Sequence, residues 1–561
     1  MTTMPSDLEI DVLVVGSGAA GLTAALAVST AGGEVLVIEK SDEFGGTSAT
    51  SGGGIWIPNS DGAKAVGMAD SDEEAFEYMR SLTQTDVPDA SLWAYIREGR
   101  RMVRWVHANS PVRFTSQDYP DYHVELPGGK PGHRTHLPEN FDGRELGDDI
   151  RHLRSTSPVS SLFGKINWKF DEIYTLLYRQ TGWPFTLAKM LWRYYSDIPH
   201  RFRSSKDRTL VCGMALIGGL FVSLKKRDVP LWRNCTLVRL EQENGRITGA
   251  RINRDGAEQR ILLRRGVILA AGGFERNAAM RGQYLQDAAD PGLSGSQRNN
   301  SGDAIIAATE IGAGLRNMGS CWASPVFRIP GEDRARPSFF ERALPGAIMV
   351  DGAGKRYLNE AASYHVVGQQ MMAHHKAGGH SWLVFDGRFR FKYPAGPLMP
   401  LIPDWLHGRN VRSVVRKSST IDGLAKRIGV DPAALLATIT EFNEDAQTGI
   451  DRQFSRGSAT YDRLFGDASV KPNPNLAPLD KKPFYAMPIY GGDIGTNGGV
   501  NTDEFARGLD LGGAPIPGLY AIGNCAGSVM GMSYPGAGAT IGPGMIFGYV
   551  AGHHVMGAPL S

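Results

Sequence analysis

The chain has 561 residues, of which 42% are apolar and 21% are charged, and its formal net charge is +2. This length is enough for about three or four domain-sized units, and this composition excludes an intrinsically disordered protein. The near-neutral charge argues against nucleic acid as a partner.

Three features of the sequence predict the cellular compartment of the protein and the state of its cysteines. Met1 to Glu9 is polar and acidic, so we expect no signal peptide and a cytoplasmic protein. The longest apolar window, Met214 to Leu224, is shorter than the roughly 20 residues that span a bilayer, so no transmembrane helix is predicted. The cysteines lack CxxC spacing, which predicts buried free thiols and no metal site. They are Cys212, Cys235, Cys321 and Cys525.

A glycine-rich turn follows the first apolar run, Val12 to Val15, which we interpret as a buried parallel strand. Gly16 allows a tight turn, Gly18 lets the backbone approach a pyrophosphate, and Gly21 permits close helix packing. The following helix would point its positive N-terminus at the phosphates. The predicted dinucleotide contacts in this turn are Gly16, Ser17, Gly18, Ala19, Ala20 and Gly21.

A second apolar strand, Glu34 to Glu39, ends in an acid about 20 residues downstream of the turn, where ribose hydroxyls need an acceptor. Lys40 and a loop rich in backbone donors and hydroxyls come next. Such a loop can wrap a cofactor without bulky side chains intervening. Its predicted cofactor contacts, with the strand end, are Glu39, Lys40, Gly46, Thr47, Ser48, Ser51, Gly52 and Gly53.

The segment 150–208 interleaves aromatic residues with more bases than acids. Its aromatic residues include Phe163, Trp168, Phe170, Tyr174, Trp183, Phe185, Trp192, Tyr194 and Tyr195, and its bases include Lys165, Lys169, Arg179, Lys189, Arg193, Arg201 and Arg203. The mixture is typical of a helical hairpin, broken at Gly182-Trp-Pro184, that rests through 160–204 in the headgroup region of a membrane. An amphipathic cap or an oligomer interface is the alternative.

Two later strands end in small residues that let the chain pass close to a bound cofactor. They predict contacts at Ala271, Gly272, Gly273, Gly523 and Asn524, and we also expect contacts at Asp303, Ala539 and Ile541. Two helices are well marked. Asp431 caps one, Pro432 opens it, and its expected apolar face is Leu435, Leu436, Ile439 and Phe442. The other is expected over Met545 to Met556, after the helix-breaking Gly542-Pro543-Gly544.

The Gly16 turn, Glu39-Lys40, the Gly46-Thr47-Ser48 loop, Ala271-Gly272-Gly273 and Gly523-Asn524 resemble the flavoprotein family of fumarate reductase and succinate dehydrogenase. Three further stretches are most similar to 3-ketosteroid Δ1-dehydrogenases in that family. They are Ser51-Gly-Gly-Gly-Ile-Trp56-Ile-Pro58, Arg356-Tyr-Leu-Asn359-Glu360-Ala-Ala-Ser-Tyr364 and Tyr534-Pro-Gly-Ala-Gly538. The resemblance spans nearly the whole chain, except near residues 150 to 208.

The resemblance implies an α/β fold, with a Rossmann-like FAD-binding domain and an inserted α+β substrate (capping) domain. The expected FAD-binding parts are 1–149, 209–285 and 490–561, and the substrate domain is 286–489. FAD should be bound noncovalently, because succinate dehydrogenases attach it through a histidine and the loop from 46 to 54 contains none.

To desaturate a ketone beside its carbonyl, an enzyme removes an α-proton and a β-hydride, and it must stabilise charge on the carbonyl oxygen. By resemblance, Tyr534 and the Gly538 amide bind that oxygen. Tyr364 is the base, where fumarate reductases carry an arginine. A second tyrosine could relay the proton, and Tyr122 is our choice over Tyr119. We expect the adjacent histidines, His123 and His365, to be structural.

The predicted function is therefore FAD-dependent 1,2-desaturation of 3-ketosteroids. A Δ4-(5α) desaturase or another enone oxidoreductase on the same scaffold is one alternative. A membrane-associated flavoprotein that binds a sterol or shuttles electrons is another. Only one dinucleotide turn is present, so we expect a quinone-like acceptor rather than a nicotinamide. A peripheral position on the inner face of the cell membrane would suit the segment 160–204.

Overall fold

The computed structural model describes residues 8–156, 161–162, 164–177, 180–288, 290–375 and 379–560. Phe163, Arg179 and residues 1–7 of the acidic N-terminal stretch lie outside these residues. The α-helices are Ala19–Thr30, Gly46–Thr50, Asp61–Ala65, Asp72–Thr83, Asp89–Asn109, Phe170–Leu177, Trp183–Tyr195, Ile198–Arg201, Cys212–Lys225, Ala278–Tyr284, Asp303–Glu310, Tyr364–His374, Gly387–Lys392, Arg409–Val414, Ile421–Ile428, Pro432–Thr448, Thr460–Leu464 and Ile541–Met556.

Two sheets carry the fold. The strands of the larger one are Leu8–Val15, Val35–Ile38, Leu231–Trp232, Cys235–Glu243, Arg246–Arg254, Ala257–Leu269, Arg507–Leu509 and Pro515–Ala521. Those of the second are Cys321–Phe327, Arg336–Pro337, Ala347–Val350, Ser381–Phe385, Arg416–Ser418 and Phe484–Thr496. The remaining short strands are Ile55–Trp56, Phe114–Ser116, Thr135–Pro138, Phe141–Asp142, Ser161–Leu162, Ile166–Asn167, Thr209–Leu210, Leu315–Arg316 and Gly499–Val500.

The parallel part of the larger sheet aligns the carboxyl ends of its strands. Val15 pairs in register with Ile38 on one side and with Leu269 on the other, and Leu269 also pairs with Ala521. The loops that follow these four strands therefore leave the sheet at one edge, where α/β folds bind their ligands. This is the α/β architecture that the sequence predicts, and the predicted strands before Gly16, Glu39, Ala271 and Gly523 are confirmed.

The C-terminal helix packs against the first helix, Ala19–Thr30, beneath this edge. It begins at Ile541, so the prediction that Gly542-Pro543-Gly544 precedes the helix is wrong. The first four N–H groups of a helix have no intrahelical acceptor, so the missing N–H of Pro543 costs nothing in the first turn.

The second sheet is antiparallel, and the helix Tyr364–His374 packs on its strand Cys321–Phe327. Helices Pro432–Thr448 and Ile421–Ile428 pack together, with a core shared with this sheet. The longest described strand of this second sheet, Phe484–Thr496, crosses the expected boundary at residue 489. The division of the chain into domains stays a prediction.

The helix Pro432–Thr448 begins as predicted, because the Asp431 side chain accepts a hydrogen bond from the Ala434 N–H at 2.7 Å. Its apolar face is one residue smaller than predicted. Leu435, Ile439 and Phe442 are buried, but the Leu436 side chain is 52% exposed. Leu436 lies about 100° around the helix from Leu435, and Ala446 continues the buried stripe instead.

The segment 150–208 forms two packed helices, Phe170–Leu177 and Trp183–Tyr195. The predicted break is confirmed, since Gly182 has a left-handed conformation and precedes the second helix. Part of its aromatic content is internal, because Trp168 and Tyr194 are buried with Met190 in a small separate core. In the described parts of the chain, no helix has the length and apolar character needed to cross a bilayer.

Candidate active site

A cavity of about 450 Å³ opens at the carboxyl edge of the parallel sheet, within the usual range for ligand sites. The structure brings together in its lining most residues predicted to bind cofactor or substrate. Those are Gly16, Ser17, Gly18, Ala19, Ala20, Glu39, Lys40, Gly46, Thr47, Ser48, Ser51, Gly52, Gly53, Tyr122, Ala271, Gly272, Asp303, Tyr364, Gly523, Asn524, Tyr534, Gly538 and Ile541.

Three predicted cofactor contacts are not among the residues that line the cavity. Gly21 packs directly beneath the Gly16 carbonyl, Gly273 lies against the Thr496 hydroxyl, and Ala539 is buried in the core. Gly21 therefore allows the close helix packing that the sequence predicts. Neighbouring residues of the same motifs take the positions that face the cavity.

The glycine-rich turn needs an unusual backbone. Gly16 has φ +112°, and a Cβ there would lie 2.4 Å from the Ala270 carbonyl oxygen. The start of the helix Ala19–Thr30 lines the cavity, and the Ala19 N–H donates to the Ser48 hydroxyl at 3.1 Å. A helix N-terminus behind a bare backbone is a favourable place for a pyrophosphate.

Carboxylates and a lysine lie beside this turn. One oxygen of Glu39 accepts from the Ser17 hydroxyl at 2.6 Å, which leaves lone pairs of the carboxylate for a ribose hydroxyl. Lys40 pairs with Asp303 at 2.5 Å and also donates to Ser301. The glycine-rich turn, the helix N-terminus and Glu39 fit the dinucleotide part of FAD.

Tyr534 and Gly538 supply two hydrogen-bond donors at another part of the cavity. The Tyr534 ring is buried, and its hydroxyl is paired with the Thr540 hydroxyl at 2.9 Å. Gly538 has φ +100°, and an added Cβ would lie 2.5 Å from the carbonyl carbon of Ile55. Its N–H donates to no other group in the part of the chain that the structure describes. Both donors can therefore turn to a ligand oxygen.

Tyr364 and Tyr122 surround the same point. The Tyr364 ring centroid lies 5.4 Å from that of Tyr534 and 5.5 Å from that of Tyr122, and Tyr122 lies 5.3 Å from Tyr534. Tyr119 also lines the cavity, 6.5 Å from Tyr122. The three predicted phenols thus converge with the Gly538 amide.

Tyr364 lies at the start of a helix and beside a second phenol. It is the first residue of the helix Tyr364–His374, whose N-cap Ser363 accepts from the Val366 N–H. Burial holds the pKa of the Tyr364 phenol well above 10, while a hydrogen bond from Tyr122 lowers it. The positive end of the helix dipole favours the phenolate as well. Burial still disfavours the phenolate, so a further group must help to remove the Tyr364 proton.

Buried ion pairs hold the loop that carries Tyr364. Arg356 donates to Glu360 at 2.7 Å and to Asp451 at 2.8 Å, and Arg456 lies 3.3 Å from Glu360. Asn359 donates to Asp462 at 2.9 Å. The motif from Arg356 to Glu360 therefore acts as a scaffold for Tyr364.

The turn that carries Tyr534 is anchored to the first part of the chain. The Tyr122 N–H donates to the Pro535 carbonyl at 2.9 Å, and the Tyr78 hydroxyl donates to the same oxygen at 2.7 Å. Trp56 donates to Asp121 at 2.7 Å. These bonds fix Tyr122 relative to Tyr534 across more than 400 residues of sequence.

The two adjacent histidines have structural surroundings. His365 is buried and pairs through Nε2 with the Met532 carbonyl, and burial lowers its pKa to about 4. Burial also lowers the pKa of His123. Neither residue is among those that line the cavity.

Sequence reasoning missed the aromatic walls. Phe339, Phe340 and Phe465 line the cavity, and the Phe339 ring lies 4.9 Å from that of Tyr364. Thr540, the partner of Tyr534, was also missed. Thr540 lies between the predicted contacts Ala539 and Ile541, whereas no local motif marks the three phenylalanines, because only tertiary packing brings them to the cavity.

The FAD binding domain family matches residues 11–541 of the chain. A 3-oxosteroid 1-dehydrogenase of Mycolicibacterium smegmatis is 37% identical, over 97% of this chain and 96% of the relative. A 4-oxocyclohex-2-ene-1-carboxylate 5-dehydrogenase of Sinomonas cyclohexanicum is 35% identical, over 98% of this chain and 94% of the relative. The solved 3-ketosteroid Δ1-dehydrogenase from Sterolibacterium denitrificans, in complex with 1,4-androstadiene-3,17-dione, is 44% identical with a TM-score of 0.93, over 98% of this chain and 99% of that chain.

Proposed function

We propose, because this chain belongs to the FAD binding domain family and within it to the 3-oxosteroid 1-dehydrogenases, that it desaturates 3-ketosteroids between carbons 1 and 2. The observation that carries the proposal is the convergence of Tyr364, Tyr534, Tyr122 and the Gly538 amide on one cavity.

The Tyr534 hydroxyl and the Gly538 N–H bind the 3-keto oxygen. As the carbon 2 proton leaves, negative charge builds on that oxygen, and donors already in place stabilise it without reorganisation. Tyr534 can turn its proton from Thr540 to the substrate. Gly538 needs no rearrangement, because its N–H is unused among the described residues.

Tyr364 takes the proton from carbon 2, and Tyr122 supports it through the hydrogen bond that lowers its pKa. The aromatic walls exclude water around the reacting carbons. When bound, FAD supplies the acceptor for the hydride that leaves carbon 1.

The lining favours a neutral, apolar ketone over a ketone that carries a carboxylate. The charged residues among the described lining are Glu39, Lys40 and Asp303, all beside the glycine-rich turn. The part around Tyr364 is lined by Phe339, Phe340 and Phe465 instead. A substrate carboxylate there would lose its hydration without gaining a cation.

The direct test is anaerobic reduction of the yellow protein by 3-ketosteroids. Replacing Tyr364 or Tyr534 by Phe should slow flavin bleaching by about 100-fold or more, because each change removes one catalytic hydroxyl. The flavin spectrum should persist in both variants. Tyr393→Phe is the control, since its buried hydroxyl bonds to Asp467 outside the cavity. Near-wild-type bleaching in both variants would refute the assignment.

Two alternatives give different results in the same assay. A Δ4-(5α) desaturase or another enone oxidoreductase would bleach the flavin but form a different product from a 5α-3-ketosteroid. A sterol-binding or electron-shuttling flavoprotein would show no bleaching with any steroid of the panel.

For the acceptor, we favour a quinone-like compound, on the ground that the chain contains one dinucleotide turn. Reduced enzyme should be reoxidised rapidly by a soluble ubiquinone analogue and not by NAD⁺. Rapid reoxidation by NAD⁺ alone would reject this choice.

The segment 160–204 supports a peripheral membrane contact. Its exposed apolar side chains include Phe185 and Trp192, each 76% exposed, and Phe202, which is 88% exposed. Lys189 and Arg203 are exposed in the same segment, as anionic headgroups would require. An amphipathic cap would bury these rings, whereas an oligomer interface would cover them with a second copy.

Liposome flotation with anionic vesicles tests the contact. The double variant Trp192→Ser/Phe202→Ser should lose flotation, while Leu511→Ser, a residue 87% exposed elsewhere, should not. Equal flotation of all forms would reject the contact. Concentration-dependent dimerisation that the double variant abolishes would favour the interface.

A further inference from the structure

Tyr461 is a fourth buried phenol of the tyrosine cluster, and no motif pointed to it. It lies on the short helix Thr460–Leu464, with its ring 4.8 Å from Tyr122 and 6.4 Å from Tyr119. It is not among the residues that line the cavity, so it stands behind Tyr122. Its hydroxyl is buried, and hydrogen bonding with the Tyr119 and Tyr122 hydroxyls lowers its pKa. A buried hydroxyl between two other phenols can form a continuous chain of O–H groups.

A buried cation stands near Tyr461. The Arg342 guanidinium is fully buried and donates to the carbonyls of Phe339, Glu360 and Ala362. No carboxylate forms an ion pair with it among the described residues, so carbonyl dipoles hold its charge without cancelling it. Burial raises the pKa of Tyr461 to about 12, and the Arg342 charge acts in the opposite direction.

Hydrogen bonds tie this pair to the catalytic base. Asn359, in the loop before Tyr364, donates to the Asp462 carboxylate at 2.9 Å. The Asn475 amide donates to the carbonyls of Ala343 and Asp462, at 2.9 Å and 2.8 Å. The turn with Arg342, the loop before Tyr364 and the helix with Tyr461 are therefore held as one unit.

We propose that Tyr461 is a proton-relay residue, which acts through Tyr122 to return Tyr364 to its phenolate form. The inference rests on the proposed desaturation. After Tyr364 has taken the carbon 2 proton, its O–H bond breaks as an O–H bond to Tyr122 forms. Tyr122 releases its own proton to Tyr461, which releases one to Tyr119.

Tyr119 completes the path, because it is only partly buried and can release its proton to water. The sum is one proton moved from substrate carbon to solvent, with no electrons exchanged and each tyrosine restored. Arg342 stabilises the transient negative charge on the relay, since a phenolate near an uncancelled cation is less costly than an isolated one.

The test is the variant Tyr461→Phe, which removes only the relay hydroxyl and keeps the ring. The rate of anaerobic flavin bleaching by a saturating 3-ketosteroid is measured across pH. We expect the pH of half-maximal rate to rise by about one unit, which makes the variant about tenfold slower on the acid side. The two rates should converge at high pH, and KM should stay unchanged, because Tyr461 does not touch the substrate.

The matched control is Tyr393→Phe, whose hydroxyl bonds to Asp467 at 2.5 Å. It should lower the melting temperature and leave the pH profile unchanged. Tyr461→Phe should shift the pH profile instead, which loss of stability alone does not produce in the control. A wild-type pH profile in Tyr461→Phe overturns the relay. Absence of bleaching in the wild-type protein would instead refute the proposed function, so the two failures are distinguishable.

Discussion

Replacing Gly538 by Ala should damage activity far more than the loss of a glycine usually does. The residue has φ +100°, which costs an L-residue about 1–2 kcal/mol. The new methyl would lie 2.5 Å from the Ile55 backbone, and overpacking of this kind costs about 1–3 kcal/mol more. We therefore expect the free energy of unfolding to fall by about 2–5 kcal/mol.

The same methyl must displace either Ile55 or the turn, so the Gly538 N–H moves away from the 3-keto oxygen. Loss of one such donor lowers the rate by about 100-fold to 1,000-fold. The assays are urea denaturation and stopped-flow bleaching of the flavin by a saturating 3-ketosteroid. A folded Gly538→Ala variant with a near-wild-type bleaching rate would refute the role of this amide.

Gly513→Ala is the matched control. Gly513 has φ +85°, yet an added Cβ would meet nothing within 4 Å. The variant should therefore lose only the unfolding free energy of about 1–2 kcal/mol that backbone strain costs, and its bleaching rate should be unchanged. An equal loss of activity in both variants would mean that strain, and not the displaced N–H, is the cause.

Glu360→Gln should lower the free energy of unfolding by about 3–5 kcal/mol, because it leaves Arg356 and Arg456 short of a buried partner. Glu332→Gln, which breaks an exposed pair, should cost less than about 1 kcal/mol, and similar melting temperatures for the two would contradict this. The pKa of His136 is lowered by burial to about 4, below its unfolded value, so its contribution to stability is present at neutral pH and is lost as pH falls from about 6.5 towards 4. By pH 5 the loss should be about 2 kcal/mol in urea denaturation, and His136→Gln should remove it; an identical pH dependence in that variant would exclude His136 as the source. Leu435→Ala should lower the free energy of unfolding by about 2–5 kcal/mol and Leu436→Ala by less than about 1 kcal/mol, since only Leu435 is buried. Equal losses in urea denaturation would contradict the exposed position of Leu436.

The cofactor end of the site was largely predictable, because its requirements are local. A strand, a turn with Gly16 in a left-handed conformation and a helix N-terminus follow each other within 20 residues. The sequence also marked Tyr364, Tyr534 and Gly538, through motifs that resemble a known family. Two predictions from local sequence were wrong, the burial of Leu436 and the start of the helix that begins at Ile541. In both cases the helix itself was predicted, and the error concerned only how far its apolar face or its length extends.

The sequence by itself determined the α/β class and the glycine-rich turn, since each depends on residues that are neighbours in the chain, and it proposed the reacting tyrosines through motifs that resemble a known family. Only the tertiary structure decided that Phe339, Thr540, Arg342 and Tyr461 surround those tyrosines. They come from three separate stretches, since only Phe339 and Arg342 are close in the sequence. Their proximity follows from how the two sheets and their helices pack, and packing is a property of the whole chain.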